Sequence, residues 1–298
     1  MKDYKELTFR DSFMFGKVTE DPQICREIVS ILMGSDVGEL SHPEQEKYLK
    51  AIADGKFVRL DILAEDQAES LYDVEMQNKS HDKEKQLELP KRSRYYQSML
   101  DVAYLKEASN YRNLKNVYVI FICTFDPFGE GKYCYTFRNA CREADGLELK
   151  DGTQKIFFNT TAEMMDAPEE LTNLLRYIQT GKVSDAVTER IERGVAKARE
   201  NAEWRVEYMK SYVYLQDAKY EGMLEGKLEG RQEGRQEDRA EAILELLDEI
   251  GPVPQELSDA IMSECNMDVL KKWHKISAKA QGIDEFIEKS GINIAVSV

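Results

Sequence analysis

The sequence predicts an α/β domain with a mixed β-sheet, followed by a mostly α-helical C-terminal region. Three observations carry this. The run NVYVIFICTF (116–125) is continuously apolar and rich in β-branched residues, as a central strand buried on both faces is. Two β-like runs, FVRLDILAE (57–65) and SLYDVEMQN (70–78), adjoin across the polar turn DQAES. From about residue 163 onward the pattern is helical and rich in charge.

Taken in order, Asp21-Pro22 opens a helix, with Asp at the N-cap and Pro at the first helical position. Ile24, Ile28, Ile31 and Leu32 give it an apolar face, and Gly34 ends it. Residues 35–54 read as a polar loop, the two β runs follow, and 79–89 is a charged connector. Pro90 begins a long helix, PKRSRYYQSMLDVAYLKEA, with Tyr96, Met99, Leu100, Ala103 and Tyr104 at helical spacing. A loop over 110–116 leads into the buried strand, and Asp126-Pro-Phe-Gly129 turns the chain. KYCYTFRNAC and QKIFFNT (154–160) read as further strands, closing a first domain over residues 1–162.

A charged helical region over 163–238 comes next, with helices over 168–180 and 184–220. Its last part, EGMLEGKLEGRQEGRQE (221–237), repeats a four-residue unit with glycines at 222, 226, 230 and 234. Each glycine costs a helix roughly 1 kcal/mol relative to alanine. Charged neighbours are expected to offset part of this through i,i+4 pairs. The repeat reads either as a solvated helix or linker, or as a helix whose glycine side permits close backbone approach and self-association. Residues 239–298 form a small helical tail, RAEAILELLDEIG, PQELSDAIMSE, DVLKKWHKISAKA and IDEFIEKSG.

Charge narrows the partners. A net charge of −15 argues against broad, non-specific coating of DNA. Residues 1–160 hold 28 acidic and 23 basic side chains, a difference of −5, and the rest hold 28 and 18, a difference of −10. Residues 79–94 carry six basic and three acidic side chains, so a nucleic-acid surface, if present, belongs to the N-terminal half, near the 61–77 hairpin. There, Lys91, Arg92, Arg94, Tyr95 and Gln97 open a helix and could meet DNA phosphate; an ordinary amphipathic helix fits them equally.

No stretch reaches the roughly 18 apolar residues of a membrane span, and MKDYKELTFRDSF is no signal peptide. Five cysteines without CxxC spacing suggest reduced thiols, mostly in the core, in a cytoplasmic protein. His42, His81 and His274 show no metal-ligand spacing, and neither a GxSxG elbow nor a GxxxxGK[ST] loop occurs.

The chemistry concentrates on Asp61, Glu75 and Gln77. Alternation puts Asp73, Glu75 and Gln77 on one face of their strand, and Val58, Leu60 and Ile62 on one face of theirs, opposite Asp61. With the turn centred near Ala68, residue 61 falls opposite 75, and the two carboxylates become cross-strand neighbours. Like charges so placed repel unless protonated or bridged by a cation. Mg²⁺ suits two carboxylates with carbonyl and water oxygens. Spacing alone favours two inert carboxylates on a wet strand face.

The wider pattern resembles the Rpn family of recombination-promoting nucleases, PD-(D/E)XK nuclease family transposases. The residues that carry it are DSFMFGKV, RLDILAE, YDVEMQ, KRSRYYQSML, VYVIFICTFDPFG, and YTFRNAC through DGTQKIFFNT. They cover about residues 5–160, and the Glu-Gly repeat is also similar to many members. The resemblance implies a restriction-endonuclease-like core and Mg²⁺-dependent (or Mn²⁺-dependent) DNA endonuclease activity linked to recombination or transposition. Asp61 and Glu75 would be metal ligands, and Gln77 stands where many relatives carry Lys. Glu27, on the leading helix, fits the place of an accessory acid. The alternative from another class is a nuclease-like module that binds DNA or protein without cutting.

Overall fold

The computed structural model describes residues 2–41, 44–49, 58–78, 86–105, 109–164 and 166–292. His42, His81 and the connector over 79–85 lie outside them. Six strands form one sheet: β1 (Glu44–Leu49), β2 (Val58–Glu65), β3 (Leu71–Gln77), β4 (Val117–Cys123), β5 (Cys134–Phe137) and β6 (Thr153–Asn159). Their order is β1-β2-β3-β4-β6-β5. β3, β4 and β6 run parallel at the centre, and β1, β2 and β5 pair antiparallel on the flanks. The mixed α/β sheet is therefore as expected.

β1 is a correction, since it lies within the segment read as a polar loop over 35–54. Its sequence, EQEKYL, lacks an apolar run because an edge strand pairs through its backbone on one side only.

Period-2 alternation divides the sheet between two cores. On one face Tyr72, Val74, Met76, Ile120, Ile122 and Phe158 meet four helices. These are α1 (Ser12–Thr19), α2 (Pro22–Met33), α4 (Glu169–Thr180) and α5 (Ala186–Glu200). On the other, Leu71, Val119, Phe121 and Phe157 pack under α3 (Leu89–Tyr104) through Leu89, Met99 and Leu100. The caps of α2 are those read from its sequence. The Asp21 carboxylate accepts from the N–H groups of Gln23 and Ile24, and Gly34 ends the helix at φ 69°, a left-handed conformation that glycine adopts without strain.

Leu174, Leu175, Ile191 and Val195 bring α4 and α5 into the first core, and the first compact unit is Met1–Met209. The single helix expected over 184–220 is instead two. Asn201 is extended (φ −77°, ψ 111°), and its side chain caps the next helix by accepting from the N–H groups of Glu203 and Trp204. That helix, α6 (Ala202–Asp248), continues through the glycine repeat. The expected i,i+4 ion pairs do not form among the described residues there. A four-residue period places Glu beside Glu and Arg beside Arg at that spacing.

The second compact unit, Lys210–Val298, has its own core. Ile243 and Leu247 of α6 meet α7 (Gln255–Met262), α8 (Met267–Ser277) and α9 (Ile283–Ser290) through Leu257, Ile261, Leu270 and Phe286. The Trp273 indole donates to the Ser290 carbonyl at 3.2 Å.

No helix among the described residues is long and apolar enough to cross a membrane. All five cysteines are free thiols, but only Cys25 and Cys123 are buried, against the expectation that most are core. Burial pushes both of those thiols up to about 12, which keeps them protonated.

Candidate active site

The β2–β3 register pairs Ile62 with Val74 and Leu63 with Asp73. One further step sets Asp61 opposite Glu75, as the count around Ala68 requires. At that step side chains take over from the main-chain ladder. Glu75 Oε1 accepts from the Asp61 N–H at 2.7 Å, and Asp61 Oδ2 accepts from the Met76 N–H at 3.0 Å. Each carboxylate thus occupies a place that a strand carbonyl would otherwise fill. Side-chain alternation shifts here too. Val58, Leu60 and Leu63 pack under α3, whereas Ile62 packs on the opposite face, so Val58, Leu60 and Ile62 do not share a face as expected. An interrupted ladder allows this extra twist.

Asp73, Glu75 and Gln77 alternate along β3 toward α3. Glu75 is 4% exposed and Asp73 is fully buried. Neither Asp73 carboxyl oxygen has a hydrogen-bond partner. Burial, then the Asp61 charge, holds both carboxyls well above the usual carboxylate range. The Asp61 N–H and Arg92 pull Glu75 the other way without cancelling this.

The folded chain keeps protons that the unfolded chain has released once pH passes about 4. This contribution to stability is full below that value and is lost as pH rises through the raised folded values. Without divalent cations the melting temperature should therefore fall from about pH 5 upward. Asp73→Asn should flatten the profile; an unchanged slope in that variant would assign the dependence elsewhere.

Arg92 joins the group from the first turn of α3. Its Nη1 donates to Gln77 Oε1 at 2.9 Å, its Nη2 donates to the Tyr96 hydroxyl at 3.0 Å, and Nη2 lies 3.7 Å from Glu75 Oε2. The guanidinium sits over the rings of Tyr96 and Phe121, 5.4 and 5.5 Å from their centroids. Gln77 Nε2 donates to the Asn78 carbonyl, and Asn78 Nδ2 to the Arg10 carbonyl, so the strand end is tied to the chain before α1. Asp61, Glu75, Met76, Gln77, Arg92 and Tyr96 line a polar cleft of about 420 Å³, which Ser12 and Asn78 help wall.

The other candidates separate from it. Lys91, Arg94 and Tyr95 are exposed, while Gln97 engages Lys155 and Asp101. Glu27 pairs with Arg190 at 3.1 Å and lines a different cavity with Arg26, Ser30 and Asp36. The structure thus does not bring Glu27 to Asp61 and Glu75. Conversely, Asp73 and Tyr96 join the site although neither stood among its expected members. Their signals were the i,i+2 step from Asp73 to Glu75 and the i,i+4 step from Arg92 to Tyr96.

Among the described residues no group of three or more His, Cys, Asp or Glu side chains is arranged to hold a metal. Asp61 and Glu75 line the same cleft as a pair. Mg²⁺ commonly takes one or two protein carboxylates and completes its shell with water and phosphate oxygens. The pair fits an ion held in that open manner, and does not fit a closed protein cage.

Comparison with known proteins gives one family. Its model, described as PD-(D/E)XK nuclease family transposase, matches residues 9–220. No curated protein and no solved structure matches the chain significantly.

Proposed function

The chain belongs to the PD-(D/E)XK nuclease family transposases, and on that premise we propose that it is a Mg²⁺-dependent DNA endonuclease whose cuts serve recombination or transposition. The observation that carries this reading is the meeting of Asp61 and Glu75 on one cleft, beside an arginine. Asp61 and Glu75 would hold the ion, Mg²⁺ or Mn²⁺. When bound, it supplies a Lewis acid for a phosphate oxygen and a lowered pKa for a water.

The remaining roles belong to the chain's own groups. Gln77 has neither positive charge nor basicity, and its amide is held between Arg92 and the Asn78 carbonyl. It therefore orients rather than transfers protons. Arg92 brings into the cleft the positive charge that Gln77 lacks, on a guanidinium fixed by Tyr96, Phe121 and Gln77. That charge opposes the negative charge building on the phosphate as water adds to phosphorus and the P–O bond breaks. Lys91 and Arg94, exposed on the same helix, are placed by sequence to meet the flanking DNA backbone.

The catalytic part corresponds to residues 1–162 in this reading, and the protein acts in the cytoplasm. Self-association through the glycine repeat belongs to it as well. A Cβ built at Gly222, Gly226, Gly230 or Gly234 meets nothing within 4 Å, so the fold of one chain does not require these glycines. Val213, Tyr220 and Met223 are more than half exposed on the same helix.

Supercoiled plasmid should be converted to nicked and linear forms with Mg²⁺ and remain intact in EDTA. The reading of a module that binds without cutting draws on the uncharged Gln77; it would appear as Mg²⁺ or Mn²⁺ binding with no nicking at any metal concentration.

A further inference from the structure

The second compact unit, although acidic in total, sorts its charges. Residues 240–270 contain eight Asp and Glu and no Lys or Arg. The cations collect instead on α6, on and just past α8, and at Lys289 of α9. Arg231, Arg235 and Arg239 of α6, with Lys271 of α8, line a groove of about 890 Å³ whose one acid is Asp238. Lys271 also lines an adjoining groove of about 520 Å³ with Lys272, Lys275, Lys279 and Lys289, where the one acid is Asp268. Lys271 pairs with Asp268, and Lys289 with Glu285. The other six cations form no ion pair among the described residues.

Two runs place a cation at every fourth residue: 231, 235 and 239 on α6, and 271 and 275 on α8 with 279 two residues past its end. At about 1.5 Å rise per residue the steps are roughly 6 Å. Like charges at i,i+4 destabilise a helix, and among the described residues Lys271 is the one member of either run with an ion-pair partner. Rows of cations, most of them without an ion pair among the described residues, match a ligand with regularly repeated negative charge. A nucleic-acid backbone is such a ligand, with about one phosphate per 3.4 Å of each strand. A lipid surface would call for a broad apolar face beside the cations, whereas the groove of about 520 Å³ is formed mostly by lysines.

We propose that these two rows are a DNA-docking face, separate from the Asp61–Glu75 cleft, that binds the phosphate backbone of duplex DNA without reading its sequence. The choice of DNA rests on the nuclease reading above. The face lies in the half of the chain where the overall charge count had argued against nucleic acid. Folding reverses that count locally by lining two grooves, which share Lys271, mainly with basic side chains.

The test is fluorescence anisotropy of a short labelled duplex with the full chain carrying Asp61→Asn, with and without Lys271→Gln, Lys275→Gln and Lys279→Gln. Removing three phosphate contacts should weaken binding at low salt by at least about tenfold. It should also make the slope of log affinity against log salt shallower by about 2.7. Equal affinity and equal slope would overturn the proposal. So would unchanged DNA binding accompanied by lost self-association in sedimentation, which would assign the rows to acids of a second copy. If the lysine variant fails to fold by circular dichroism, Arg231→Gln with Arg235→Gln and Arg239→Gln gives the same reading from the other row. Nicking by the chain with native Asp61 is scored separately. Binding through these rows without nicking supports the docking face while refuting the nuclease reading.

Discussion

Replacing Asp61 with asparagine should lower DNA cleavage by on the order of 10³-fold while leaving the fold intact. Asparagine keeps a side-chain oxygen for the Met76 N–H, so the clasp that replaces the β2–β3 ladder survives. What disappears is the negative charge that would hold the cation. That same charge raises the Glu75 and Asp73 carboxyls, so its removal relieves repulsion in the metal-free protein. The variant should melt at the wild-type temperature or above it. Single-turnover nicking together with a thermal melt checks both halves. Lost cleavage with a lower melting temperature would point to structural damage, and retained cleavage would remove Asp61 from the chemistry.

Phe121→Ala should cost about 3–5 kcal/mol of stability, a large share of what a domain has. Phe121 is fully buried on β4, between β3 and β6, and stacks on Phe157 with centroids 5.3 Å apart and planes 8° from parallel. It also lies beneath the Arg92 guanidinium. The alanine variant should therefore lose cleavage per folded molecule as well as stability, because Arg92 loses one of the rings that seat it. Denaturant titration measures the first effect and a cleavage rate corrected for folded fraction the second. A stability loss under about 1 kcal/mol would mean that the interior collapses onto the space the ring leaves.

Much of the fold was legible because its signals are local. Asp21, Pro22 and Gly34 act within one turn of the helix ends they mark, and the β4 run needs no partner to be read as buried. The Asp61–Glu75 register was legible too, since a hairpin with a short turn is set by counting from its centre. The contact of Arg92 with Gln77 was not, because a connector separates them and no period links a strand to the helix that covers it. The pairing of Glu27 was not legible for the same reason. Its place on α2 was clear, but Arg190, which takes its charge, lies on α5. β1 was missed because an edge strand carries little apolar signal, and the break at Asn201 because a helix pair joined by one residue keeps helical spacing on both sides. The glycine repeat was read as a weakening of α6, yet the helix runs through it, which shows propensity overridden by length and by packing at the helix end.

The assignment of Asp61 and Glu75 as the metal-holding pair is tested most directly by Glu75→Gln. Glutamine retains an oxygen for the Asp61 N–H and removes only the charge. Nicking of supercoiled plasmid should be followed for wild type and variant across a series of Mg²⁺ concentrations. The expected result is saturable, Mg²⁺-dependent nicking by the wild type and none by the variant at any concentration. Nicking by Glu75→Gln at the wild-type rate would contradict the assignment.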